Sequence, residues 1–202
     1  MVQFRYVEDF VPPALADFIE QTIDQTDSWS WTSQTVSADA KRDDKNDNIL
    51  DGPQLVRYLF HPDMNGPCHQ MFDTVANPLM WFFADRLGTC ITELDRVKVN
   101  LLFPILGGSN KTYNSPHVDT PTQGAISMVY YISESDGDTF IFDKSVIDSP
   151  TDMEVVHRQS PKKGSALIFP STIYHSSQNP VNYPDRKIIN FCMKVDNPSV
   201  LW

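Results

Sequence analysis

Residues 115–133, SPHVDTPTQGAISMVYYIS, place His117 and Asp119 two positions apart, just before a run of β-branched and aromatic residues. That run reads as a buried strand: it is short, apolar and bounded by turn residues. Pro116 favours an extended entry, and an extended backbone points residues 117 and 119 to the same face, where two ligands can meet one ion. The motif alone decides nothing, because five histidines in an aspartate-rich chain produce about half an H-x-D by chance. A second copy indeed stands at His61-Pro62-Asp63. It runs into Met64-Asn65-Gly66-Pro67, a turn where the backbone holds no such alternation, so a surface turn is the expectation there.

Strands continue outward from this stretch. RVKVNLLF, AISMVYYIS, DTFIFD, MEVVHRQ, GSALIFP and KIINFCMKV are short apolar runs separated by Gly, Pro, Asp and Asn. Before them, PPALADFIEQTIDQ (12–25) spaces Leu15, Phe18, Ile19 and Ile23 as a short amphipathic helix with prolines in its first turn. A second helix is expected from Pro67 to Leu87, bent at Pro78 and ended by Gly88. The polar stretch from Asp27 to Asp51 has neither period and reads as a loop or a flap over a pocket. Helices first and many strands after give a mainly β fold, a sandwich or jelly roll with helices packed on one sheet. A single domain over 1–202 is expected, with a helical and loop elaboration over 1–90 and the jelly-roll core over 95–195.

The chain has 202 residues, 41% of them hydrophobic, which is enough for one real core. No apolar run approaches the roughly 18 residues of a spanning helix, and the first residues lack a secretory layout. A cytoplasmic protein with no membrane partner is the expectation. Cys68, Cys90 and Cys192 are odd in number and form no C-x-x-C, which argues against a disulfide framework and a zinc knuckle. The net charge of −10 repels a phosphate backbone, and Lys41-Arg42 and Lys162-Lys163 are the only basic clusters, so long nucleic acid is excluded as a partner.

A third metal ligand must come from His69, His157 or His175. His69 falls on the second helix, and His157 ends an amphipathic strand where a solvent-facing or hydrogen-bonded role is expected. His175 follows the apolar strand SALIFP and lies near the mouth of a sandwich, where functional residues gather. Alternation in the last strand puts Arg186, Ile188, Asn190 and Cys192 on one face and Lys187, Ile189, Phe191, Met193 and Val195 on the other, the packing face. A guanidinium on the polar face of a buried strand needs an anion; with no internal acid, a small dicarboxylate is the partner. Two histidines and one carboxylate leave open positions on a metal, the arrangement of non-haem iron(II) oxygenases. Zinc hydrolysis would want a general base, and no H-E-x-x-H is present.

His117-Val118-Asp119, then His175, then Arg186 eleven residues on, resemble the 2-oxoglutarate- and iron(II)-dependent dioxygenases, most closely the prolyl 4-hydroxylase-like branch and its short phage-type members. VYYIS, DGDTFIFD and SPKKGSALIFPS add to the likeness, which covers residues 95 to 195. The resemblance implies a double-stranded β-helix that binds iron through His117, Asp119 and His175. It also implies a 2-oxoglutarate carboxylate held by Arg186 and Tyr131, with Asn190 at a further co-substrate contact. Asn190 departs from the hydroxyl residue usual there, and Arg186 from the lysine of collagen-type enzymes. The activity implied is O2-dependent hydroxylation of a C–H bond with release of succinate and CO2, ascorbate serving as an accessory reductant. The substrate implied is a prolyl residue of a peptide or protein, with a free amino acid or other small metabolite next. A silent binding module that keeps the ligands is the reading outside enzymology.

Overall fold

In the computed structural model, residues 2–36, 48–148 and 152–202 are described. The strands are β1 (Arg5–Val7), β2 (Ser30–Thr32), β3 (Gln54–His61), β4 (Gly66–Pro67), β5 (Ile91–Leu102), β6 (Ile126–Tyr131), β7 (Thr139–Ser145), β8 (Val155–Gln159), β9 (Ala166–Pro170), β10 (Ile173–Ser177) and β11 (Arg186–Val195). Two helices, α1 (Pro13–Asp24) and α2 (Asn77–Leu87), precede β5. The large sheet runs β1-β9-β6-β11-β5-β3-β2 with β4 on β3, the small one β10-β7-β8, and neighbours pair antiparallel throughout.

Period-two alternation in the large sheet sorts its residues between two cores. Ile126, Met128 and Tyr130 of β6, Ala166 and Ile168 of β9, and Ile189, Phe191 and Met193 of β11 pack with Ile19 and Ile23 of α1 and Leu79 and Phe83 of α2. The opposite faces supply Val129, Tyr131, Leu167, Phe169 and Ile188, which meet Ile141 of β7 in the small sheet. This is the expected jelly roll with helices on one sheet, and burying each of these side chains stabilises it by about 1.5–3 kcal/mol. Toward β5 and β3 the inner face changes character. Val97 and Val99 of β5 stay in the helix-side core, while Arg96, Lys98 and Asn100 turn to the cavity between the sheets.

Several expectations are corrected. The second helix begins at Phe72, not Pro67: Gly66 and Pro67 pair with β3, and the Cys68 amide donates to the Leu59 carbonyl at 3.0 Å, which holds the chain extended. Pro78 stands in the first turn of α2, directly after a π-helical turn over Phe72–Ala76, so it falls at a junction of two helical segments rather than inside one helix. On α1 the buried stripe is Ala16, Ile19 and Ile23, while Phe18 is 47% exposed. Ala16 fits because a Cβ added at Gly164, where φ is +76°, would stand 3.3 Å from its own Cβ. Residues before 90 also contribute β1, β2 and β3 to the large sheet, more strand than a helical and loop elaboration contains.

Of the 27–51 stretch, β2 and an Ile49–Tyr113 bridge are described; its centre, 37–47, lies outside the described residues. Lys162 and Lys163 pair with Glu8 and with Asp17 and Glu20, so that basic cluster is neutralised by acids of the N-terminal region. No helix among the described residues is long and apolar enough to cross a membrane.

Candidate metal centre

His117, Asp119 and His175 come together, each offering one ligand atom within 4.8 Å of the others. Two short pieces of extended chain do this. His175 lies on β10, a strand of its own, and exchanges both backbone hydrogen bonds with His117 at 2.9 Å. Asp119, two residues on, is tied by its amide to the Ser171 carbonyl at 3.0 Å.

The ring nitrogens are assigned by their neighbours. His117 Nδ1 faces the Ser115 carbonyl at 3.3 Å and His175 Nδ1 faces the Ile173 carbonyl at 3.1 Å. A carbonyl only accepts, so Nδ1 carries the proton in both rings and each Nε2 presents a lone pair. Burial, then the neighbouring His175, pushes His117 down to about 3, and burial likewise lowers His175. Both imidazoles are therefore neutral at neutral pH, the form that ligates a metal.

Asp119 is 2% exposed in its side chain. Ser127 Oγ donates to Oδ2 at 2.6 Å, Arg96 meets Oδ1 at 2.5 Å, and Asn190 Nδ2 reaches both oxygens at 3.2 Å. Burial alone would raise this carboxyl; His175, Arg96, His117 and the Ser127 hydroxyl outweigh it and hold the group far below the usual carboxylate range. The centre thus offers two neutral nitrogens and one ionised oxygen donor, the set that suits iron(II).

Arg186 opens β11 and is 3% exposed. Its Nε donates to the Gly137 carbonyl at 2.6 Å and one terminal nitrogen to Thr139 Oγ1 at 2.8 Å, the same oxygen that accepts from the Tyr131 hydroxyl at 2.9 Å. The loop must approach closely: a Cβ at Gly137 would fall 2.8 Å from the Arg186 side chain and 2.6 Å from the Gln178 carbonyl. No carboxylate among the described residues forms an ion pair with Arg186; the nearby Asp138 pairs with Arg158. Lys187, on the other face, pairs with Asp24 at 2.6 Å. One inner cavity is lined by His117, His175, Lys98, Asn190, Thr139 and Arg186, so the two histidines of the cluster and the buried guanidinium share a space. A wider cavity of about 750 Å³ opens beside His117 and Asp119.

The remaining histidines lie elsewhere. His61 accepts from the Asp63 amide at 3.2 Å in a short 3-10 turn over Pro62–Met64. His69 precedes its helix and accepts from the Met71 amide at 3.2 Å, and His157 stacks on Phe4 at 4.1 Å. Trp31, Trp81 and Trp202 are exposed. Thr139, Ser127, Arg96 and Lys98 belong to the site without having been picked out in the sequence. For the last two, the alternation Arg96-Val97-Lys98-Val99-Asn100 was the available signal.

No protein-family model and no curated protein matches the sequence. Solved structures do match. The epimerase SnoN in complex with Fe3+, alpha ketoglutarate and nogalamycin RO superposes with a TM-score of 0.61 at 10% identity, over 96% of this chain and 79% of that one. A Pseudomonas putida prolyl-4-hydroxylase gives 0.56 at 14% identity, over 96% and 94%. A Trichoplax adhaerens prolyl hydroxylase, in complex with a hypoxia inducible factor oxygen degradation domain peptide fragment, gives 0.54 at 16%, over 95% and 83%. The chain has the 2-oxoglutarate/iron(II) oxygenase fold. Within that oxygenase fold the His-Asp-His cluster lies between the two sheets, beside the cavity that ends at Arg186.

Proposed function

We propose that the protein is a 2-oxoglutarate- and O2-dependent hydroxylase using one iron(II), with a prolyl residue of a peptide or protein as substrate. One observation carries the reading: the His117 and His175 rings, which converge with the Asp119 carboxylate, line one cavity with a buried arginine that has no acidic partner among the described residues. A cation so buried needs a carboxylate, and its planar fork suits two-point contact.

His117, Asp119 and His175 would hold the iron, whose chemistry when bound is activation of dioxygen at the expense of the keto acid, so that a substrate C–H bond is oxidised. The chain's own residues do the rest. Arg186 holds the distal carboxylate of 2-oxoglutarate, and the Thr139 hydroxyl, fixed by Tyr131 and Arg186, lines that end. Asn190 acts through Asp119: its two amide contacts, with those of Ser127 and Arg96, orient the carboxylate. The Ile173 and Ser115 carbonyls keep both rings in the ligating tautomer. Residues of the inner core, Val129, Ile188 and Phe169 among them, keep bulk water from the reactive centre.

The test is incubation with iron(II), 2-oxoglutarate and ascorbate against prolyl peptides and free amino acids, scored for succinate and for the gain of one oxygen atom by mass. Substrate-dependent succinate is the expected result. Failure of the chain to bind 2-oxoglutarate would leave a silent binding module as the better reading.

A further inference from the structure

Lys98 has no place in the chemistry just described. It lies on β5 between Arg96 and Asn100, on the face turned to the cavity, and it lines both the inner cavity with Arg186 and the wider one beside Asp119. It therefore stands where the two join. Among the described residues, Lys144, Lys162, Lys163, Lys187 and Lys194 each pair with a carboxylate. Lys111 pairs with none but is in solvent. The Lys98 side chain is half-buried and makes no hydrogen bond or ion pair with any described residue, in a chain whose net charge is −10.

The charges around it do not supply the missing anion. Among the described residues, four charged side chains line the wider cavity: Arg96, Lys98, Asp119 and Asp148. Asp119 is engaged by Arg96, Ser127 and Asn190. Asp148 is an exposed rim residue whose carboxylate accepts from the Ser145 amide at 2.8 Å and hydroxyl at 2.9 Å. Arg96 adds to the imbalance: one terminal nitrogen meets Asp119, but its Nε–H is buried without an acceptor. An unpaired ammonium and an unsatisfied guanidinium N–H thus stand two residues apart on one strand face. A bound iron(II) dication and a 2-oxoglutarate dianion cancel each other and leave this surplus in place. Burial of an uncompensated cation is costly, so the cavity favours a ligand that brings a negative charge.

We infer that the wider cavity is a recognition site for a substrate carboxylate, held by Lys98 while the carbon to be oxidised faces the metal ligands. The inference rests on the hydroxylase reading and narrows its substrate: a free amino acid, a peptide C-terminus or an acidic side chain beside the target fits, and an uncharged internal segment does not. Lys98 is thereby a specificity residue and takes no part in the oxidation. Gln54 and Thr35, which also line both cavities, supply polar groups beside it.

The same cation could instead serve the iron-bound end of 2-oxoglutarate, and the test separates these sources. The Mn(II)-loaded chain, saturated with 2-oxoglutarate under anaerobic conditions, is titrated calorimetrically with matched acid and amide pairs. These are L-proline and L-prolinamide, glycyl-L-proline and its amide, and L-glutamate and L-glutamine. At least one acid is expected to bind about tenfold tighter than its amide, and in Lys98→Gln that preference shrinks to about twofold or less. Affinity for 2-oxoglutarate, measured separately, is expected to stay within about twofold of the unsubstituted chain. The inference is overturned if no acid binds, if no acid is preferred, if the preference survives in Lys98→Gln, or if 2-oxoglutarate affinity falls about tenfold in that variant. Loss of 2-oxoglutarate binding by the unsubstituted chain is a different failure, that of the hydroxylase reading itself.

Discussion

His61-Pro62-Asp63 and His117-Val118-Asp119 present the same two side chains at the same spacing, and the fold treats them oppositely. The first sits on a turn with its aspartate 89% exposed, and its ring accepts a hydrogen bond from the Asp63 amide, so the pair closes on itself. The second lies on extended chain with its aspartate 2% exposed, bridged to His175 and supported from β6, β11 and β5. What sets the second copy apart does not reside in the tripeptide. It comes from a backbone that aims both side chains one way, from carbonyls that fix which ring nitrogen carries the proton, and from a third donor supplied by another strand.

Removing that third donor gives the sharpest contrast. His175→Ala is expected to lower Mn(II) or iron(II) affinity by more than the about 10–100-fold that outlying hydrogen-bond partners command, while His61→Ala leaves it unchanged. Calorimetric titration of both variants decides, and equal losses would erase the distinction between the copies. Arg186→Ala comes next: the loss of about 2 kcal/mol or more expected for a buried charge pair is at least about thirtyfold in 2-oxoglutarate affinity, read by equilibrium dialysis. An unchanged affinity would place the carboxylate elsewhere. Ser127→Ala, which frees one Asp119 oxygen, is expected to weaken metal binding about tenfold without unfolding the chain, a support that Asp63 never had.

The smallest effect is one of pH on the metal-free chain. His117 is held at about 3 when folded and titrates near 6.5 when unfolded, so the unfolded chain binds the extra proton between those values. Stability from this group is fully present above pH 6.5 and is lost as pH falls toward 3. The Asp119 carboxyl, depressed as well, carries the loss to lower pH. A melting midpoint several degrees lower at about pH 4.5 than at about pH 7, with the drop reduced in His117→Gln, is the expected outcome. A midpoint independent of pH would contradict a buried neutral imidazole.

Much of this was legible in the linear order of residues. The strands from β5 onward follow from short apolar runs between turn residues, and alternation in β11 correctly separates Arg186 and Asn190 from Ile189, Phe191 and Met193. β3 was not legible, because QLVRYLFH mixes large polar and apolar side chains without strict alternation and a bulge between Tyr58 and Phe60 breaks its register. Phe18 misled for a related reason: hydrophobicity alone favours it over Ala16, but the tight approach of Gly164 has room only for a methyl group.

By itself the sequence determined the alternation of strand faces, the excess of acid over base and a short roster of donors, because these depend only on side-chain chemistry and local backbone preference. Tertiary structure decided which histidine joins His117 and Asp119, which nitrogen each ring presents, that Asn190 reaches the Asp119 carboxylate, and that Arg186 and Lys98 line an inner cavity with no acid among the described residues. Each of those facts is a distance between residues far apart along the chain, and such distances are set by how the sheets pack.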